Sequence, residues 1–372
     1  MSRSCVTLAA VGLLCLPVVA QSAPDPATSS FDQLVASGAS ARDAGDLKRA
    51  IELYRQAVAI RPTWPDGWWY LGSLQYGVSD YPAARDALTH FIGLTPTAGP
   101  ATALRGLCEY ETGEYAQALK DIEDGLGHGA ATQARNERIL RGHEALLLTR
   151  EGRFEDALRT YAFFARDGAP KPEMAVGIGL AGLRTPLLPR DVSGDKGPLF
   201  LETGNALFQF MAGNAAAAKR GFEALFERYP ATPNLHYVYG YQLFATDPEQ
   251  AIAEFKRELE VNPKSAPAEA FLAWASIMRE DPAGALPSAT KAVADDPTLP
   301  LAQLVLGRAM VDTGNLHDGT LHLERASQLD PGNLENHLAL AHAYSESGRK
   351  EDAYRERMAS LAISRNEPIA HP

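Results

Sequence analysis

The sequence predicts an all-α protein, a solenoid of helix-turn-helix units arranged in two lobes. Three observations predict it. A glycine recurs at the head of a helical pattern, at Gly45, Gly113, Gly152, Gly213, Gly314 and Gly348. Five positions after each stands a small residue: Ala50, Ala118, Ala157, Ala218, Gly319 and Ala353. Proline then recurs about a dozen residues beyond the small position, at Pro62, Pro96, Pro230, Pro263, Pro297 and Pro331. Glycine reaches positive φ at little cost and permits a tight reversal between helices. A small residue lets two helix backbones cross closely. Proline cannot continue a helix and stops it.

In chain order, the N-terminus "MSRSCVTLAAVGLLCLPVVAQSAPDP" has Arg3 in a positive n-region and an apolar run from Val6 to Ala20. This pattern predicts a secretory signal peptide over residues 1–20, cleaved after Ala20, and a linker over 21–30. The apolar run is short for a membrane span, which needs about 20 residues. Cys15 follows Leu14, whereas a lipid-acceptor cysteine wants a small residue before it. Cleavage removes Cys5 and Cys15 and leaves Cys108 alone, so the mature chain forms no internal disulfide. Cys108 lies in the helical pattern "LRGLCEY" and is expected to be a small buried hydrophobe.

Residues 31–170 then carry about four helical repeats, and residues 199–365 about five. Two repeats lack the glycine but keep the rest, "DYPAARDALTHFIGLTP" and "DPEQAIAEFKRELEVNP"; "DPAGALPSATKAVADDP" is a weaker one. Between the two groups, residues 171–198 are an insert. Glu173–Leu183 reads as one orphan helix packed on the fourth repeat. Pro186, Pro189, Gly194, Gly197 and Pro198 then read as a linker between lobes. Residues 366–372 are a tail.

The glycine turn, the alanine and the aromatic-x-x-Leu-Gly pattern of Trp68, Leu71 and Gly72 resemble the tetratricopeptide repeat, a unit of about 34 residues. The same pattern recurs as Leu306-Gly307 and Tyr239-Gly240. Units start near Phe31, Pro65, Gly99, Arg138, Leu199, Pro233, Ala266, Pro300 and Leu334. The resemblance covers nearly all of the chain beyond residue 30. It implies a right-handed solenoid whose first helices line a concave groove, with positions 2, 5, 9 and 12 of each unit facing it. Those positions carry Trp69, Tyr76, Tyr110, Phe210, Tyr237, Tyr241, Phe244 and Trp274, together with Leu107, Phe200, Leu207 and Leu304. Their charged members are few: Asp32, Arg42, Asp66, Arg308 and Glu335. A stripe this apolar implies either a partner or internal packing. Some grooves of the family hold a C-terminal carboxylate with Lys and Asn at positions 5 and 9. No unit has that pair here: Val35/Ala39, Trp69/Ser73 and Leu304/Arg308 are examples.

The formal net charge is −11, without a Lys/Arg cluster. That argues against nucleic acid, whose phosphates demand a basic surface. No phosphate loop, nucleophile elbow or dinucleotide fingerprint is present. "GHEALL" holds His143-Glu144 without the second histidine of a zinc-protease helix. His317/His322 and His337/His342 are spaced five apart, a poor spacing for joint ligation from one helix face. No catalytic residue, cofactor or metal is therefore expected. The expected function is a non-catalytic protein- or peptide-binding scaffold of the bacterial cell envelope or exterior, periplasmic or secreted, binding through the aromatic stripe. The alternative is carbohydrate binding by the same rings. An enzyme using the insert or the histidine region comes third.

The stretch "RPTWPDGWWYLG" holds three of the four tryptophans. Trp64 belongs to the joint between repeats, and Trp68 is expected between helices. Trp69 lies about 100° further round the helix and is expected to point away from that core, toward a partner.

Overall fold

The computed structural model describes residues 26–166 and 168–365. The predicted signal peptide and the tail lie outside the described residues. Among the described residues there are nineteen α-helices and no strand, an all-α helical repeat solenoid.

The chain divides into two compact parts at Gly113 and Glu114. The first holds α1 (Pro26–Asp43), α2 (Leu47–Ile60), α3 (Pro65–Gly77), α4 (Tyr81–Leu94) and α5 (Gly99–Thr112). The second opens with α6 (Tyr115–Gly127), α7 (Ala134–Arg150), α8 (Phe154–Ala162) and α9 (Pro172–Gly182). It continues through α10 (Gly197–Met211), α11 (Ala215–Arg228), α12 (Leu235–Leu243), α13 (Pro248–Val261), α14 (Ala266–Met278) and α15 (Pro282–Asp295). It ends with α16 (Pro300–Asp312), α17 (Leu316–Leu329), α18 (Leu334–Glu346) and α19 (Lys350–Ser364). The residues 171–198 thus lie inside the second part.

The turn within the glycine-headed helical pairs is made as the sequence indicates, whereas the turn between α12 and α13 has no left-handed residue. All six head glycines have positive φ, from +74° at Gly348 to +94° at Gly314. Ser79 (φ 62°) and Glu280 (φ 59°) adopt the same left-handed conformation in repeats without the glycine. In some repeats the side chain of the next residue then caps the second helix. The Asp46 carboxylate accepts from the Arg49 N–H at 3.1 Å, and Asp281 accepts from the Gly284 N–H at 2.8 Å. Such caps satisfy backbone donors that a helix start leaves free.

The small residues sit at the helix crossings and are buried: Ala50, Ala84, Ala118, Ala157, Ala218, Ala251 and Ala285. Opposite them a glycine of the first helix receives a large apolar side chain of the second. A Cβ on Gly72 would stand 2.8 Å from Leu88, one on Gly240 2.8 Å from Phe255, and one on Gly307 2.7 Å from Leu323. Leu88, Phe255 and Leu323 are fully buried. The core is therefore a series of small clusters, each between a helical pair and its neighbour, rather than one central mass.

The helix read over Glu173–Leu183 falls on α9, which touches α7 and α8. Its largest contact is with α10, at backbone distance. A Cβ on Gly179 would lie 1.9 Å from the Phe200 carbonyl oxygen, and one on Gly204 1.7 Å from that of Ala175. The stretch after α9 is packed as well. Leu183 and Leu188 are buried, and the Asn234 side chain donates to the Leu183 carbonyl at 3.3 Å. Two single-turn 3-10 helices, Pro189–Asp191 and Gly194–Lys196, lead into α10.

Candidate partner-binding site

The eight rings of the predicted stripe are placed in both parts, and each has neighbours. In the first part, Trp69 packs on Phe91 of α4 with ring centroids 5.8 Å apart. Tyr76 meets Tyr81 at 5.7 Å, edge to face. Both lie against the buried group Ala84, Leu88, Ala101 and Cys108. Tyr110 is buried. Trp69 thus faces α4, not away from the core. A first helix in a solenoid touches its own second helix and the helices of adjoining repeats. A turn of 100° therefore exchanges one neighbour for another rather than for solvent. Burial pushes the Cys108 thiol up to about 12, so it remains a packed hydrophobe.

Trp64 packs on Phe31 at 5.1 Å and Tyr54 at 6.2 Å, as its place in the joint requires. Trp68 stacks on His90 at 4.3 Å, and its indole N–H donates to the Pro62 carbonyl at 2.7 Å.

In the second part, Phe210 stands 5.9 Å from Tyr239 and 6.3 Å from Phe222. Tyr237 and Tyr241 of α12 and Phe244 just after it converge on Phe271 of α14, at 6.1, 5.6 and 5.2 Å. Phe255 of α13 stacks on the same ring at 5.2 Å. Tyr237 is buried; Tyr241 and Phe244 are half-buried. The Arg308 guanidinium lies 5.1 Å over Trp274, so that ring face is occupied.

Beside Arg308 the helices of the last two repeats open into a cleft of about 220 Å³. It is lined by Arg308, Val311 and Asp312 of α16, Leu323 of α17, and Glu335, Leu338, Ala339 and His342 of α18. Val311, Leu323 and Ala339 are buried and form the floor. Leu338 is 44 % exposed on its wall. Arg308 stands 3.7 Å from Glu335, and His342 Nε2 3.9 Å from Asp312. The cleft combines an apolar floor, one exposed leucine and a rim carrying both charge signs.

Leu338 and His342 hold positions 5 and 9 of the last repeat, so the implied groove positions include them. A search for aromatic rings passes over them.

A second, more open cleft of about 370 Å³ lies on α6, α7 and α8. Its charges neutralise one another. Arg153 pairs with Glu123 and Asp156, each at 2.9 Å, and Arg141 with Glu144 at 2.9 Å. Arg159 also pairs with Asp156.

Three histidines of the two five-residue pairs have separate partners, His342 with Asp312 as above. His322 Nδ1 stands 2.7 Å from Gln303 Oε1, and His337 Nδ1 2.7 Å from Glu356 Oε2. Among the described residues, no group of three or more His, Cys, Asp or Glu side chains could hold a metal ion. Nor is any described helix long and apolar enough to cross a membrane.

Residues 35–97 and 71–132 match the family model of the tetratricopeptide repeat. Over 121 residues the chain is 28% identical to the "TPR repeat-containing protein MJ1428" of Methanocaldococcus jannaschii. That alignment covers 32% of this chain and 20% of the relative, so it spans about a fifth of the relative's length. Among solved structures, MamA is 18% identical with a TM-score of 0.37, covering 43% of this chain and 95% of that one. YrrB, described as a tetratricopeptide protein with an unusual peptide-binding site, is 16% identical with a TM-score of 0.36. It covers 44% of this chain and 84% of its own. Yeast Tom70 is 13% identical with a TM-score of 0.34, covering 90% and 92%.

Proposed function

We propose that this tetratricopeptide-repeat chain is a non-catalytic scaffold of the bacterial cell envelope or exterior, binding a protein or peptide in the cleft between α16 and α18. The observation that carries the reading is the exposed Leu338 beside an apolar floor and a charged rim. Apolar anchors buried in such a pocket supply most of the binding energy, while rim charges set orientation. The partner segment places one aliphatic or aromatic side chain against Leu338, Val311 and Ala339. A basic residue beside it meets Asp312 and Glu335, and the net charge of −11 favours the approach of a basic partner. Of the predicted stripe, Trp274 borders the cleft through Arg308. The other seven rings pack within the repeats.

Panning a displayed peptide library against the full chain tests this. Enriched peptides share an apolar anchor flanked by basic residues, and Leu338→Asp loses them. Undiminished binding to a folded Leu338→Asp chain removes the cleft from the proposal. The envelope location rests on the N-terminal signal pattern. It predicts that the exported chain begins at Gln21, which intact-mass measurement reads directly.

A further inference from the structure

We propose that the outer face of α19 is a homodimer surface, on which two copies of the chain pack antiparallel about a two-fold axis through Met358. One repeat earlier, α17 turns Glu324 toward α18, where it accepts from the Tyr344 hydroxyl at 2.7 Å; Thr320 and Ser327 share that helix face by spacing, and Thr320 is buried. The corresponding positions of α19 are Tyr354, Met358 and Leu361, exposed by 65 %, 45 % and 37 %. Among the described residues no helix follows to cover them. The terminal repeats of a soluble solenoid ordinarily present a polar outer face. The first helix does so, with Gln33, Ser37 and Ser40 exposed on α1. The exposed face of α19 is thus apolar where that of α1 is polar, so an apolar contact between two copies pairs α19 with α19 rather than with α1.

The stripe is also complementary to itself. Glu351, Tyr354, Met358, Leu361 and Arg365 follow one another at alternating steps of three and four residues, and all five are exposed. Such steps keep side chains on one helix face. Laid antiparallel on its own copy, Glu351 meets Arg365 at each end, Tyr354 meets Leu361, and Met358 meets Met358. An isologous interface requires this reciprocity, in which residue i meets j and j meets i. Methionine at the axis suits a surface that adapts to its own image.

Sedimentation equilibrium of the full chain, from low to high micromolar concentration, tests the proposal. The chain is expected to form a dimer that saturates without larger species. Met358→Glu places two carboxylates at the axis and raises the dissociation constant at least about tenfold, with an unchanged circular dichroism spectrum. Glu351→Arg weakens the dimer, and adding Arg365→Glu restores it by reversing both ends together. A monomer throughout, an open ladder of oligomers, or a dimer indifferent to Met358→Glu overturns the proposal. So does a double charge reversal weaker than the single one.

Discussion

The Tyr237 hydroxyl donates to Glu155 Oε1 at 2.7 Å, joining α12 to α8 across the 171–198 segment. The same carboxylate pairs with the Arg184 guanidinium, which lies 4.9 Å from the Phe154 ring and 5.5 Å from that of Tyr237. Arg184 follows α9 and has a positive φ of 51°, so the chain turns sharply to bring its side chain here. Burial, with the Glu155 charge adding to it, raises the Tyr237 phenol well above its ordinary value and keeps it a donor. A ring whose spacing places it on an open stripe is thus a strut holding two repeats and the helix between them.

This strut predicts an order of mutational costs. Glu155→Ala leaves the largely buried Arg184 without its carboxylate and costs about 3 kcal/mol of stability. Tyr237→Phe removes one hydrogen bond and costs about 1 kcal/mol. Urea unfolding followed by circular dichroism measures both. Equal costs, or a reversed order, would show that the carboxylate does not hold the arginine.

Gly179 and Gly204 predict a second outcome. Any side chain at either position meets a carbonyl oxygen of the facing helix, which cannot move aside without its own helix. Gly179→Ala and Gly204→Ala each cost about 3 kcal/mol by forcing α9 and α10 apart. The double variant costs clearly less than the two single losses added, because both relieve the same crossing. Thermal unfolding reads the losses, and full additivity would argue against a shared contact.

The repeat was legible because its determinants are local. A glycine turn, an alanine at the crossing and a proline stop each leave a mark at a fixed offset, and nine starts follow from them. Ser79 and Glu280 show the limit: the left-handed turn persists without glycine once the flanking helices dictate it. The stripe was less legible. Periodicity gives the angle at which Trp69 or Tyr237 leaves its helix, but not which neighbour lies at that angle. Phe91 covers one, and Glu155 with Phe271 engages the other. The cleft at Leu338 and His342 occupies the same repeat positions without a ring to signal it.

Trp69 and Leu338 should therefore respond oppositely to alanine. Trp69 packs against Phe91 and the cluster around Leu88, so Trp69→Ala costs about 3 kcal/mol and lowers the melting temperature. Leu338 is exposed on the wall of the cleft, so Leu338→Ala costs less than about 1 kcal/mol while weakening peptide capture. Calorimetry beside a binding measurement separates the two. A stability loss at Leu338 as large as that at Trp69 would mark Leu338 as core.

His337 predicts a pH dependence of the C-terminal repeats. Its Nδ1 stands 2.7 Å from Glu356 Oε2 and its Nε2 2.9 Å from the Pro331 carbonyl, two acceptors. Both ring nitrogens donate only when the imidazole is charged. The Glu356 hydrogen bond raises its pKa against the opposing effect of burial, and the Pro331 carbonyl adds to the rise. Since the folded value lies above the unfolded one of about 6.5, the contribution is fully present below about pH 6.5. It is lost as pH rises through the folded value. His337→Ala is expected to cost about 2 kcal/mol near pH 6, where two charge-assisted bonds vanish, and less at about pH 8.5. Denaturant unfolding of parent and variant at both pH values measures the difference. A cost that grows with pH would mean that His337 is held neutral, with one nitrogen facing an acceptor it cannot bond.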